Sequence, residues 1–250
     1  MMRSTTSLCA GLLALLTFPV AQADAIGVYV SADYWQYDGK ADVAQTGKQK
    51  SSFAFEQQNQ ASLSLSFEHP VPVLPNVRMR YTALKGNDTQ KVTQLEFRGI
   101  QFKQNVNLDV DLTSTDLVLY YEVLDNIVSA DVGIAAKLIQ GDVVAKDKPL
   151  GIQKSTLSLN ETIPMAYLSV GGKFPLTGLS VKAEVAGVSY GGSNLTDAQA
   201  EIQYNFIDNL AVDAGLKLGY RQITANLEDV DDTDANFEFK GPYVGLELHF

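Results

Sequence analysis

The chain carries two histidines, His69 and His249, and a surplus of carboxylates: 29 Asp and Glu against 19 Lys and Arg. A histidine set beside an Asp or a Ser is a common arrangement for hydrolysis, and two histidines with a third ligand suit a metal. Neither histidine stands in such a motif. His69 precedes PVPVLPN, and His249 is the penultimate residue. There is no G-x-S-x-G, P-loop or dinucleotide fingerprint in a setting that would support one. Carboxylates are too plentiful for any pair to be singled out as acid and base. The one local anomaly is LEDVDDTDANFEF, with Glu228, Asp229, Asp231, Asp232 and Asp234 and no base among them. Its Asp229-x-Asp231 and Asp232-x-Asp234 spacings resemble a calcium loop without the turn glycine or the terminal bidentate Glu. Asp229, Asp231, Asp232 and Asp234 are therefore a weak Ca2+ or Mg2+ candidate, and a solvated acidic loop is the plainer reading. No other cofactor and no enzymatic activity are expected.

The elements that must position these residues begin after an export signal. Arg3 is followed by an apolar run from Leu8 to Val20, and Ala21-Gln22-Ala23 is a small-x-small cleavage site, with Ala23-Asp24-Ala25 as a second option. Residues 1–23 read as a signal peptide and 24–250 as one domain. Cys9 falls inside the apolar run, so the mature chain has no cysteine and no disulfide to stabilise it. Loss of Arg3 leaves 18 basic against 29 acidic residues, a net charge of −11. That balance argues against nucleic acid as a partner.

Along the mature chain, apolar residues alternate with polar ones. In QASLSLSFEH, Ala61, Leu63, Leu65 and Phe67 share one parity, and Ser62, Ser64, Ser66 and Glu68 the other. Period 2 marks strands with one apolar face. Strands are expected at about 26–36, 60–69, 77–85, 114–124, 127–139, 163–174, 179–190, 197–207, 210–222 and 238–250. Short links after 69, 124, 174 and 207 alternate with mostly long ones. Short turns on one side and long loops on the other are the pattern of a transmembrane β-barrel. The fold class is thus all-β: an antiparallel up-and-down transmembrane barrel of ten strands, with eight or twelve as alternatives. Phe67, Tyr121, Phe174, Phe206 and Phe250 fall near the inner ends on the apolar parity, and Tyr34, Tyr81 and Tyr220 near the outer ends. Two aromatic belts suit the two bilayer interfaces. In the last strand the apolar parity changes around Gly241-Pro242, which predicts a bulge there.

The other parity lists the lumen. Its basic residues include Arg78, Arg80, Lys137, Lys182, Lys217 and Arg221; its acidic ones include Glu122, Asp131, Glu184, Glu201, Asp213 and Glu247. Mixed signs can pair across a narrow lumen, so a filled barrel is preferred to a conducting one. A single-sign ladder would have favoured a channel.

The opening IGVYVSADYWQYDG and the closing GPYVGLELHF resemble small Gram-negative outer-membrane β-barrel proteins. The ending, with Val244, Leu246 and Leu248 before Phe250, is similar to the signal read by the barrel assembly machinery. The resemblance implies insertion by that machinery and carries over no catalytic residue. The expected partners are outer-membrane lipid and lipopolysaccharide, and the expected state is a monomer. The expected function is structural or surface interaction, with a narrow channel as the alternative and a surface enzyme behind both.

Overall fold

The computed structural model describes residues 26–250 apart from 49, 93–94, 149–150, 210–211 and 231–232. The signal segment 1–23 lies outside these residues. Twelve strands follow in chain order: β1 (Gly27–Gln45), β2 (Ser51–Glu68), β3 (Asn76–Lys91), β4 (Leu95–Phe97), β5 (Ile100–Phe102), β6 (Asn105–Asp125), β7 (Val128–Asp147), β8 (Lys154–Phe174), β9 (Leu179–Tyr190), β10 (Ser193–Asp208), β11 (Asp213–Val230) and β12 (Thr233–His249). Ten of them close a barrel, each antiparallel to its neighbours, with β12 pairing back onto β1. β4 and β5 form a separate small hairpin between β3 and β6.

The outer surface of the lower barrel is apolar. Leu63, Leu65, Met79, Ile134, Leu218 and Leu246 are all at least half exposed. A water-soluble barrel would leave no such continuous band on its outside. Exposed Phe67, Tyr121, Phe174, Phe206 and Phe250 edge this band at the end that carries Ile26 and Phe250, and exposed Tyr34, Tyr81 and Tyr220 edge it at the other. The band between these rings is the bilayer-spanning part, bounded as interfacial aromatics bound other barrels.

The strands are longer than sequence periodicity indicated. β1 runs on to Gln45 and β2 begins at Ser51, so most of the expected long loop between 36 and 60 is strand. The same holds for β3 and β6, β7 and β8, and β11 and β12. The reason is a change of surroundings at the outer belt. Below it, inward side chains are polar and outward ones meet lipid. Above it, outward side chains meet water and inward ones form an apolar core. β12 shows the switch directly. Phe237, Phe239 and Tyr243 are buried inside, while Val244, Leu246 and Leu248 are exposed outside. The expected bulge at Gly241-Pro242 is absent: Gly241 pairs with Arg221 and Pro242 with Tyr220 in one unbroken register with β11. The apolar parity changes because the medium changes, and the backbone keeps its register. A true register shift lies instead between β1 and β2, where Tyr37 pairs with Gln58 but Gly39 with Phe55. Residues 56–57 of β2 then face 38 of β1 alone, which turns Phe53 and Phe55 inward above the serines of the lower strand.

Above the belt the wall parts along two seams. β2 pairs with β3 only from Ser62–Thr82 downward, and β8 with β9 only from Ala166–Gly187 downward. The barrel therefore continues upward as two facing sheets around one apolar core. Trp35, Phe53 and Phe237 enter it from one side and Leu84, Leu108 and Val143 from the other, with Leu95, Phe97 and Phe102 of the small hairpin buried among them. The β2/β3 seam is bridged. Tyr37 Oη donates to the Lys85 carbonyl at 3.1 Å and accepts from the Lys85 amide at 2.7 Å. The Ala54 amide donates to Asp88 Oδ2 at 2.9 Å. Burial pushes the Tyr37 hydroxyl up to about 12, so it bridges the sheets as a neutral group at any physiological pH.

Candidate functional site

The lumen is layered. At the end of the barrel near Gly27 and His249 a polar cavity of about 510 Å³ opens to solvent. Glu68, Glu122 and Asp131 line one wall, and Lys182, Lys217 and Glu247 reach it from elsewhere. These side chains come from β2, β6, β7, β9, β11 and β12, and each faces inward because period 2 puts the opposite parity against lipid.

At the inner wall of the cavity and above it, charges fill the lumen in pairs. Arg78 Nη1 lies 2.7 Å from Glu184 Oε2, and Arg80 binds the other oxygen of the same carboxylate. Tyr167 Oη accepts from Arg78 at 3.0 Å. One layer higher, Asp197 takes Arg221 through both Oδ1 (3.0 Å) and Oδ2 (2.7 Å) and Lys137 at 2.8 Å. Asp116 also pairs with Lys137 and stands 3.6 Å from Arg221. Thr82 Oγ1 accepts from Arg221 at 2.9 Å, tying β11 to β3 across the barrel. A third group sits on Lys217, 3.0 Å from Asp33, 3.9 Å from Glu201 and 3.7 Å from Glu247. Tyr243 Oη donates to Glu201. Among the described residues no buried side-chain nitrogen or oxygen lacks a partner. Such a network is favourable only when every member is satisfied, as here. Trp35 then lies over Arg221, 5.3 Å from guanidinium to ring, and donates its indole N–H to the Gly241 carbonyl at 3.0 Å. It separates the charged layer from the apolar core above.

Sequence parity named twelve lumen charges, and the structure sorts them by depth. Arg78, Arg80 and Glu184 join one cluster, Lys137 and Arg221 another, and Lys217, Glu201 and Glu247 the third. Lys182 stays at the cavity surface, 3.9 Å from Glu184. Glu122 pairs in register with Asp131 on the cavity wall. Asp213 is at the rim, 3.3 Å from His249 Nδ1. The residue that sequence reading passed over is Asp197, although it shares its parity with Gln199 and Glu201. Periodicity starts a strand at 197, whereas β10 begins at Ser193, so Asp197 lies within the strand and faces the lumen.

His69 and His249 line the same cavity. His249 stacks on Tyr29 with ring centroids 4.1 Å apart, and His69 Nδ1 accepts from the Val71 amide at 3.3 Å. Of the acidic-loop candidates, Asp231 and Asp232 lie outside the described residues, as does the side chain of Asp229. Asp234 Oδ1 accepts from Thr46 Oγ1 at 3.2 Å. Among the described residues no three His, Cys, Asp or Glu side chains are grouped to hold a metal.

No family model matches this chain, and no curated protein does. Solved structures do. The outer membrane protease OmpT from Escherichia coli aligns over 91% of this chain and 97% of its own, at 9% identity and a TM-score of 0.54. By fold, this chain is a closed antiparallel β-barrel similar to that protease. Matches to the Yersinia pestis attachment invasion protein Ail (13% identity, 91% and 100% covered, TM-score 0.34) and to a Pseudomonas aeruginosa FadL homologue (8%, 91% and 90%, TM-score 0.36) are looser. In outer-membrane barrels the end with the short turns faces the periplasm; in that orientation the rim with Ile26 and Phe250 would be periplasmic and the two facing sheets would stand outside the cell.

Proposed function

We propose that the protein is a plugged outer-membrane barrel whose role is structural or surface-interactive, exerted by the two-sheet part that projects outside. The observation that carries this reading is the unbroken sequence of fillings across the lumen: the Arg78–Glu184–Arg80 cluster, the Asp197 cluster, Trp35, and the apolar core. Passage of a solute would have to break buried ion pairs and open a packed core, two costly events in series. The apolar band suits outer-membrane lipid, and the outward face above it suits lipopolysaccharide. No catalysis enters this proposal; both histidines belong to the periplasmic rim, remote from the outer loops.

Planar-bilayer recording on the purified barrel tests it. The expected record is silent at all voltages that the membrane withstands. Discrete, reproducible openings would overturn the plugged reading. The periplasmic cavity of about 510 Å³ favours a second reading, a narrow transporter with the cavity as its vestibule. That reading predicts openings when the Asp197 cluster is dismantled by the Asp197→Asn variant.

A further inference from the structure

The two seams above the membrane are not alike. Tyr37, Ala54 and Asp88 bridge the one between β2 and β3. The one between β8 and β9 is open. β9 turns at Tyr190 into β10, while β8 continues from Met165 up to Lys154 with β7 as its sole ladder partner. Among the described residues, the side chains of 154–165 hydrogen-bond to β7: Ser158 donates to Asp142, and Asn160 accepts from Gln140. The segment thus presents a row of backbone N–H and C=O groups to water above the bilayer. Proteins ordinarily blunt such an edge with a proline, a bulge or a lysine. Here the only proline is Pro164, at the lower end, and the only lysine is Lys154, at the top.

The side chains along this edge say what would fit it. Leu157, Leu159 and Ile163 point inward and are half-buried against the apolar core. Glu161 shares their face, opposite Ile139 of β7, yet it is exposed because nothing closes the seam in front of it. Among the described residues its carboxylate has no ion-pair or hydrogen-bond partner. An acid on the inner face of an edge strand, flanked by apolar residues whose burial is incomplete, is a site with a stated vacancy in charge and in packing.

We propose that the free edge of β8 from Ser155 to Met165 receives an extended segment of another protein as an added strand. Alternate apolar side chains of that segment complete the core beside Leu157, Leu159 and Ile163, and one Lys or Arg meets Glu161. Main-chain bonds supply affinity and the alternating pockets supply selectivity, as in other cases of strand addition. A second copy in the same membrane is a poor occupant. Rotation about the membrane normal would set its β8 parallel to this one, and in register it would place Glu161 against Glu161. This inference rests on the surface-interaction reading above.

The test uses the full barrel in nanodiscs and a fluorescein-labelled ten-residue probe of alternating Val and Thr, with one central Val replaced by Lys. The probe is expected to bind saturably and to slow amide exchange within 155–163. Methylating one alternate set of its amides should abolish binding, and methylating the other set should not. Glu161→Lys should weaken the Lys probe by on the order of tenfold and improve a Glu-bearing probe similarly; Glu161→Gln should weaken the first without helping the second. No saturable binding at millimolar probe, indifference to amide methylation, or indifference to both Glu161 variants would overturn the proposal. So would tethering of proteoliposomes without probe, which would give the edge to a second copy on a facing membrane. A silent bilayer with no probe binding removes the edge and keeps the plugged barrel. Channel openings with probe binding intact do the reverse.

Discussion

Asp197 holds two cations at once, and both are out of water: Lys137 is 1% exposed and Arg221 is 2%. Desolvation of such groups is offset only while their partners remain. Asp197→Asn keeps the shape and removes the charge, leaving Asp116 to serve both. It is expected to destabilise the barrel by about 3–5 kcal/mol, read from urea unfolding in lipid vesicles. Replacing Asp197 by Leu and Arg221 by Met together should recover most of that loss, because the remaining Lys137–Asp116 pair is balanced. An equal loss in the single and double variants would show that packing, not charge, sets the value. At this scale the lumen was largely legible, since parity alone separates inward charges from lipid-facing apolar residues. What parity does not give is the partner. Arg78 and Glu184 lie on β3 and β9, far apart in sequence and on opposite walls, and only closure of the barrel brings them to 2.7 Å.

At the scale of elements, β2 shows how the upper sheets are joined. Its register shift turns Phe55 inward, and the ring then lies against Gly39 of β1 and Gly86 of β3. A methyl at Gly86 would overlap that ring. Phe55 also stacks with Phe239, at 6.3 Å between centroids, so one ring links β2, β1, β12 and β3 across the seam. Gly86→Val should therefore cost about 1–3 kcal/mol through overpacking. Its effect should be local: amides at Ala54 and Lys85 exchange faster, while Ser64 and Arg80 within the bilayer keep their protection. Adding Phe55→Leu should restore part of the loss. Uniform acceleration in both halves would mean that the seam does not separate them. These upper elements were the least legible in sequence. The alternation continues through them, but its apolar set moves to the inward face, as in Tyr37, Ala41 and Val43 of β1. A reader expecting one apolar face per strand ends the strand where the face changes.

For the whole molecule, the same chain has to satisfy lipid, an enclosed lumen and water, and its last strand touches all three. Phe250 exchanges backbone bonds with Val28, 3.0 Å and 3.1 Å, and so completes the closure of β12 on β1. If its ring is also an assembly signal with Val244, Leu246 and Leu248, then Phe250→Ala, which retains the backbone, should lower insertion into the outer membrane while export stays intact. Loss confined to deletion of the residue would assign the effect to closure alone; membrane fractionation distinguishes the two. The change of medium along a constant face makes a sharper test. Leu246 is 53% exposed between the aromatic rings. Ser158 is likewise exposed on the outward face of β8, but above the outer belt. Leu246→Lys should cost about 2–4 kcal/mol, the depth-dependent penalty for a cation facing lipid. Ser158→Lys should leave stability within about 0.5 kcal/mol, as surface substitutions generally do. The native chain already obeys this rule on one strand: Glu238 and Lys240 share the outward face of β12 with Leu246 and pair with each other at 2.6 Å above the bilayer. Equal penalties at 158 and 246 would put the upper sheets inside the membrane, and with them the free edge of β8.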